Sequence, residues 1–215
     1  MKQFAVIGLG RFGVSVAVSL ARMGYDVLAV DTDAHKVEKI MDEVTHAVQA
    51  DALDEEALKA LGIRNFDVVI VSIGHDMEAS ILTTVMLKEM GVKTVVAKAR
   101  TELHGRVLAK VGADKVVFPE RDMGSRVARG LVSKNILDQI DLSPDFSILE
   151  LVAPEEFVGR SLAESGIRKK YGVNILAIRR GSEVLISPGA NQVIQEGDLL
   201  VAIGRNDRLQ RLGGD

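Results

Sequence analysis

Near the start of the chain, Gly8-Leu9-Gly10-Arg11-Phe12-Gly13 has the spacing G-x-G-x-x-G, directly after a strand-like apolar run and at the head of a helix-like one. Glycines so spaced allow a tight turn and let backbone amides approach a pyrophosphate, which then meets the positive end of the helix dipole. An acidic residue about twenty positions on should hold the ribose of an adenosine, and Asp31 stands there at the end of the second apolar run. Strand, glycines, helix, second strand and acid are therefore in register for a dinucleotide or an adenine nucleotide, with Gly8, Gly10, Arg11, Phe12 and Gly13 as its loop contacts. A glycine turn needed only for packing is the alternative. A carboxylate at position 31 would repel a 2′-phosphate, which argues against NADP.

Other charged residues fall where a doubly wound sheet presents its ligand-binding edge. Asp51, at the end of the third apolar run, lies where an adenine would reach, or else caps a helix starting near residue 53 or 54. Arg11 sits inside the glycine loop, where its cation could meet terminal phosphate oxygens, which tilts the reading toward ATP or ADP rather than NAD. Lys98 and Arg100 close the fifth run on the same edge, as ligand contacts or as solvated surface charge. Glu120, after the sixth run, either faces a phosphate through a cation or simply begins a helix, where a negative charge suits the dipole.

No catalytic set accompanies these residues. His35, His46, His75 and His104 form no metal-ligand spacing and adjoin no nucleophile motif. The chain has no cysteine, so disulfides, thiolate catalysis and cysteine-held zinc or iron–sulfur clusters are excluded. A dehydrogenase needs a substrate domain with a general acid or base beside the nicotinamide, and the segment after residue 145 offers none. The nucleotide is thus read as a regulator rather than a reactant. An NAD-dependent oxidoreductase remains the alternative, and a redox-sensing DNA-binding repressor a third. Against the repressor stand a formal charge of −3 and the want of a basic recognition helix outside residues 121–129, so no nucleic-acid partner is expected.

The elements that must hold this site follow from hydrophobic patterning. The chain has 215 residues, 47% hydrophobic and 27% charged, with 20 glycines and 4 prolines, an ordinary globular composition that excludes disorder and low complexity. Apolar runs at 4–7, 27–30, 47–50, 68–73, 94–97 and 115–118 alternate with helix-length segments, which predicts an α/β fold: a Rossmann-like doubly wound parallel sheet. Helices are expected at about 12–23, 55–61 and 77–90, closed by Gly24, Gly62 and Gly91. A further helix is expected from 121 to 140, and the polar, proline-bearing stretch 141–145 reads as a linker. The expected domains are thus 1–140, which binds nucleotide, and 141–215, a small α+β domain with strands near 147–152, 174–179, 184–186 and 199–203 and a hairpin at Gly181-Ser182. No uncharged stretch approaches the roughly twenty residues of a membrane helix. The N-terminus passes into a strand rather than a signal core, so a cytoplasmic protein is expected.

Taken together, Val-Ile-Gly-Leu-Gly-Arg-Phe-Gly, Val-Asp-Thr-Asp, Ala-Asp-Ala, Ala-Lys-Ala-Arg and Phe-Pro-Glu-Arg-Asp-Met-Gly resemble the RCK (TrkA-N) domain that regulates potassium conductance. Val158-Gly159-Arg160-Ser161-Leu162 and Glu196-Gly197-Asp198-Leu199-Leu200 resemble its companion TrkA-C domain, so the likeness covers nearly the whole chain. The resemblance implies a cytosolic gating subunit of a potassium uptake system: a homo-octameric ring built from dimers, docked beneath a separate membrane potassium translocator. It implies ATP and ADP exchanging in the Rossmann cleft, with Arg11 on the terminal phosphate, Asp31 on ribose and Asp51 with Lys98 around the adenine. Glu120 would reach the nucleotide of the neighbouring subunit, with a bridging cation. It also implies a cyclic di-AMP site at a C-terminal dimer interface, formed by Arg168, Asn174, Ile175 and Pro188, whose alternative is a helix charge followed by a buried strand.

Overall fold

A computed structural model of the chain describes residues 2–132 and 136–213. The chain divides into two compact units after Arg121.

In the first unit strands and helices alternate: β1 (Gln3–Ile7), α1 (Arg11–Arg22), β2 (Asp26–Asp31), α2 (Ala34–Ile40), β3 (His46–Gln49), α3 (Glu55–Ala60), β4 (Val68–Val71), α4 (Met77–Glu89), β5 (Thr94–Lys98), α5 (Glu102–Lys110) and β6 (Lys115–Val117). The six strands pair in the order β3-β2-β1-β4-β5-β6, every pairing parallel. Parallel strands are covered on both faces, which is why these runs are apolar at consecutive positions. Val6, Ala29 and Ile70 share a row on one face and pack with Leu9, Ala17 and Ile40. Ile7, Val30 and Val71 turn to the other and join Leu58, Ile63, Leu87 and Leu108.

Helices α2, α3, α4 and α5 each begin on a side-chain cap: Asp33, Asp54, Asp76 and Thr101 accept backbone N–H bonds from the first turn. Helix α1 begins at Gly10 with no side-chain cap, which leaves its leading N–H groups for another acceptor.

Two expectations need correction. The helix α6 (Pro119–Val132) does not reach 140, because residues 136–141 form the strand β7 (Ile136–Asp141). Residues 141–145 are a turn rather than a linker: Leu142 and Ser143 donate N–H bonds to the Phe146 carbonyl oxygen at 2.9 and 3.1 Å, joining β7 to β8 (Phe146–Val152). The compact units accordingly part at Arg121/Asp122, not at 140/141. A short strand with buried Ile136 was hidden because Val127, Leu131, Ile136 and Ile140 continue a helical stripe.

The second unit adds α7 (Leu162–Ser165), α8 (Ile167–Tyr171), β9 (Asn174–Arg180), β10 (Glu183–Ile186), β11 (Leu199–Arg205) and α9 (Asn206–Gly213). Its sheet is antiparallel, in the order β10-β9-β11-β8-β7, with the expected hairpin at Gly181-Ser182 joining β9 and β10. Leu149, Leu151, Phe157, Ile178, Leu200 and Leu209 fill its core. Asp198 is fully buried there; it accepts from Arg180 Nε and Nη2, both at 2.8 Å, and from the Gln195 N–H at 2.8 Å. That carboxylate ties the turn before β11 to the end of β9.

Candidate functional site

The sheet order reverses between β1 and β4, because the chain runs from β1 outward to β3 on one side and from β4 outward to β6 on the other. A crevice forms at the carboxyl ends of those two strands, where open α/β sheets bind ligands. The glycine loop forms one wall. Gly8 takes a left-handed φ of +94°, and a Cβ there would lie 3.0 Å from the Ser72 backbone carbon at the end of β4. At Gly13 a Cβ would overlap the Gly8 carbonyl oxygen, so α1 can start this close to the loop only without a side chain. Gly10 differs: φ is −74° and nothing lies within 4 Å of a Cβ built there. The fold does not require glycine at that position, and the open space before the uncapped end of α1 suits a group that comes close to the backbone.

Arg11 opens α1, exposed and without an acidic partner among the described residues, at the mouth of that space. Phe12 follows it, half-buried, with Lys98 Nζ 5.8 Å from its ring centroid. Lys98 ends β5 with its side chain only 11% exposed, and its ammonium lies 2.5 Å from Glu120 Oε1. That hydrogen bond holds the Glu120 carboxyl below the usual carboxylate range, against a smaller cost of burial. Glu120 offers a single carboxylate, and no group of three or more His, Asp or Glu suited to a metal exists among the described residues. A cation there would draw its remaining ligands from phosphate oxygens. Arg100 is exposed, and its backbone N–H points to Nδ1 of buried His104 at 3.4 Å. His104 is thus structural, its pKa pushed down by burial and by Arg100.

Asp31 closes the other side. It is 7% exposed; Oδ2 accepts the Leu9 N–H at 2.6 Å and Oδ1 the Asp33 N–H at 2.9 Å. Burial opposes its ionisation, but those two donors and the Lys36 ammonium outweigh burial and keep the carboxyl below its ordinary range. Asp51 is exposed beyond β3 and accepts the Leu53 N–H at 2.9 Å within a turn. The cap of α3 is Asp54, not Asp51.

In the second unit Asn174 and Ile175 begin β9, and a Ser187 N–H to Leu176 O bond of 2.8 Å draws Pro188 beside them. Arg168 is exposed on α8, one turn before the Gly172 bend that leads into the strand.

Two parts of the crevice escaped sequence reasoning. Ser72, buried with its hydroxyl unpartnered, and the following Gly74 and His75 form the β4–α4 connection beside the glycine loop. Lys36 bonds to Asp31. The first could have been found from strand order, which puts the end of the fourth strand next to the first. The second required coordinates, since only folding of α2 back over β2 brings position 36 to position 31.

Residues 4–119 match the TrkA-N domain family and residues 146–213 the TrkA-C domain family. The chain is 51% identical over 203 residues to Ktr system potassium uptake protein C of Bacillus subtilis (strain 168), covering 94% of this chain and 92% of that one. It is 46% identical over 210 residues to Ktr system potassium uptake protein A of the same organism, covering 98% and 95%. Among solved structures, the GsuK RCK domain aligns with a TM-score of 0.69 at 20% identity, and the GsuK channel bound to NAD with 0.68 at 20%. All of this chain is covered, but it spans only 48% and 40% of those molecules, and the likeness is one of fold. No described helix is long and apolar enough to cross a membrane.

Proposed function

The chain belongs to the TrkA-N/TrkA-C family of potassium-uptake proteins, and on that premise we propose that it is a nucleotide-sensing regulatory subunit acting on a separate membrane potassium translocator. The ligand is ATP or ADP, held in the β1/β4 crevice, and the protein lies on the cytoplasmic face of the membrane through its partner. One observation carries the choice: the first turn of α1 has no side-chain cap, and Arg11 beside it is exposed with no acidic partner among the described residues. A ligand shifts an equilibrium only by its differential affinity for the two states. A cation reached by the third phosphate and not by the second supplies that difference.

Gly8, Gly10 and Gly13 would admit the phosphates and Asp31 the ribose. Lys98, Asp51 and Arg100 would border the base and the outer phosphate. Glu120 would meet the nucleotide of a neighbouring subunit through a bridging cation, leaving Lys98 to do so. The exposed stripe Met123, Val127 and Leu131, spaced by four along α6, supports contact with a second copy, as the ring of eight built from dimers that the resemblance implies would need. Arg168, Asn174, Ile175 and Pro188 form the candidate cyclic di-AMP site. NAD remains a second reading because Asp31 would accept the diol of its ribose as readily.

Calorimetry of the purified chain with ATP, ADP, NADH and cyclic di-AMP tests the ligand. Potassium uptake by cells carrying the translocator with and without this chain tests the role. Binding of neither ATP nor ADP, or uptake indifferent to the chain, would reject the reading.

A further inference from the structure

The carboxylate proposed above for the ribose already bears a cation of the chain's own. Lys36, on the first turns of α2, places Nζ 3.3 Å from Oδ1 and 3.3 Å from Oδ2 of Asp31, so the ammonium bridges the two oxygens. The remaining approaches are taken by the backbone: Leu9 N–H holds Oδ2 and Asp33 N–H holds Oδ1. A carboxylate has about four lone-pair sites. The two amide bonds are built into the glycine loop and the β2–α2 turn and cannot leave without unmaking them. The ammonium sits at the end of a flexible stem whose side chain is 44% exposed, against 8% for that of Asp31. It is the single donor of the three that can be exchanged.

We propose that Lys36 is an internal occupant of the ribose subsite: its ammonium stands in for the 2′,3′-diol while the crevice is empty and must swing away before a ribose can bond to both oxygens of Asp31. This rests on the nucleotide reading above and adds a specificity element to it. The bridging position is the one a vicinal diol needs, since two adjacent hydroxyls reach a carboxylate by donating one hydrogen to each oxygen. Entry of a nucleotide therefore exchanges one charge-assisted contact for another, and a base and phosphates without the diol gain nothing from the exchange. The loop stays set throughout, because the Leu9 N–H bond to Oδ2 that fixes it is separate from the Lys36 contact on that same oxygen and is not given up when the ammonium leaves.

The test compares Lys36→Met, Lys36→Arg and the unsubstituted chain, each titrated calorimetrically with ATP and with 2′,3′-dideoxy-ATP. Removing the plug should tighten ATP about fivefold, in keeping with the modest worth of a half-exposed ion pair, and leave dideoxy-ATP within about twofold. A bidentate guanidinium is the stronger plug, so Lys36→Arg should weaken ATP. Thermal melts of the same proteins check that Asp31 still holds the loop. Weaker ATP binding by a folded Lys36→Met chain would mean that the lysine helps to bind the ribose, and equal changes for both ligands would mean that it does not act at the diol; either result overturns the proposal. Failure of the unsubstituted chain to bind ATP or ADP at all would remove the nucleotide reading as well, whereas binding without the predicted gain removes only the role of Lys36.

Discussion

Two residues are open to separable tests, Arg11 on ligand choice and Asp198 on stability. Arg11 touches nothing acidic among the described residues, so its removal costs the empty protein little. Arg11→Ala should weaken ATP about tenfold, the worth of one hydrogen bond to a charged group, and ADP by less than twofold in calorimetry. Equal losses would take the arginine off the terminal phosphate. Asp198 is the opposite case, wholly buried and bonded to Arg180. The Arg180 bonds, opposed by burial and aided by the Gln195 N–H, hold its folded pKa below the ordinary value. A depressed carboxyl stabilises the fold fully above its unfolded pKa near 4 and progressively less as the pH falls through the lower folded value. Melting curves should therefore drop in that acidic window. Asp198→Asn should lower a melting transition by about 5 °C at neutral pH, as expected for weakening a pair whose carboxylate is buried but whose guanidinium is part-exposed, and the gap to the unsubstituted protein should narrow on acidification.

At the scale of elements, the β1–α1 turn separates folding from binding. Gly10→Ala meets open space at an ordinary φ, so it should leave the melting temperature nearly unchanged while weakening ATP and ADP alike, because the methyl occupies the phosphate approach. Gly13→Ala drives its methyl into the Gly8 carbonyl and should destabilise the first unit outright. Thermal melts beside calorimetry distinguish the two, and matching behaviour would show that the loop has no free side. The strands of the first unit were readable because each is apolar on consecutive positions, and helices α1, α3 and α4 because Gly24, Gly62 and Gly91 close them; α2 has no such stop. The β7 strand was not, since its alternation continues the spacing of α6 and only pairing with β8 decides between them. Likewise the place of Asp31 at the end of β2 was legible from its spacing, whereas Lys36 and Ser72 come to the crevice by folding, and no one-dimensional period marks them.

At the scale of the whole molecule, α6 spans residues on both sides of the division at Arg121 and exposes Met123, Val127 and Leu131 at 55%, 53% and 81%. Large apolar side chains so displayed on one helical stripe are expected at contacts between copies. Val127→Asp with Leu131→Asp should reduce the assembled mass seen by light scattering while ATP binding by the separated chains persists. An undiminished mass would place the contact elsewhere. The two family segments, 4–119 and 146–213, leave this helix mostly between them, so sequence families alone did not show which element to disturb.

The position of β1 between β2 and β4 also sets a schedule for synthesis. Phe4 pairs with Val27 nearby and with Val68 much later in the chain, so the central strand stays half-partnered until β4 has left the ribosome. Long-range parallel pairing is slow and leaves an open strand edge in the meantime. Stalled nascent chains ending shortly after Asp31 would thus present the glycine loop without its Ser72 wall, and ATP could protect the emerging polypeptide from protease only once the fourth strand is free.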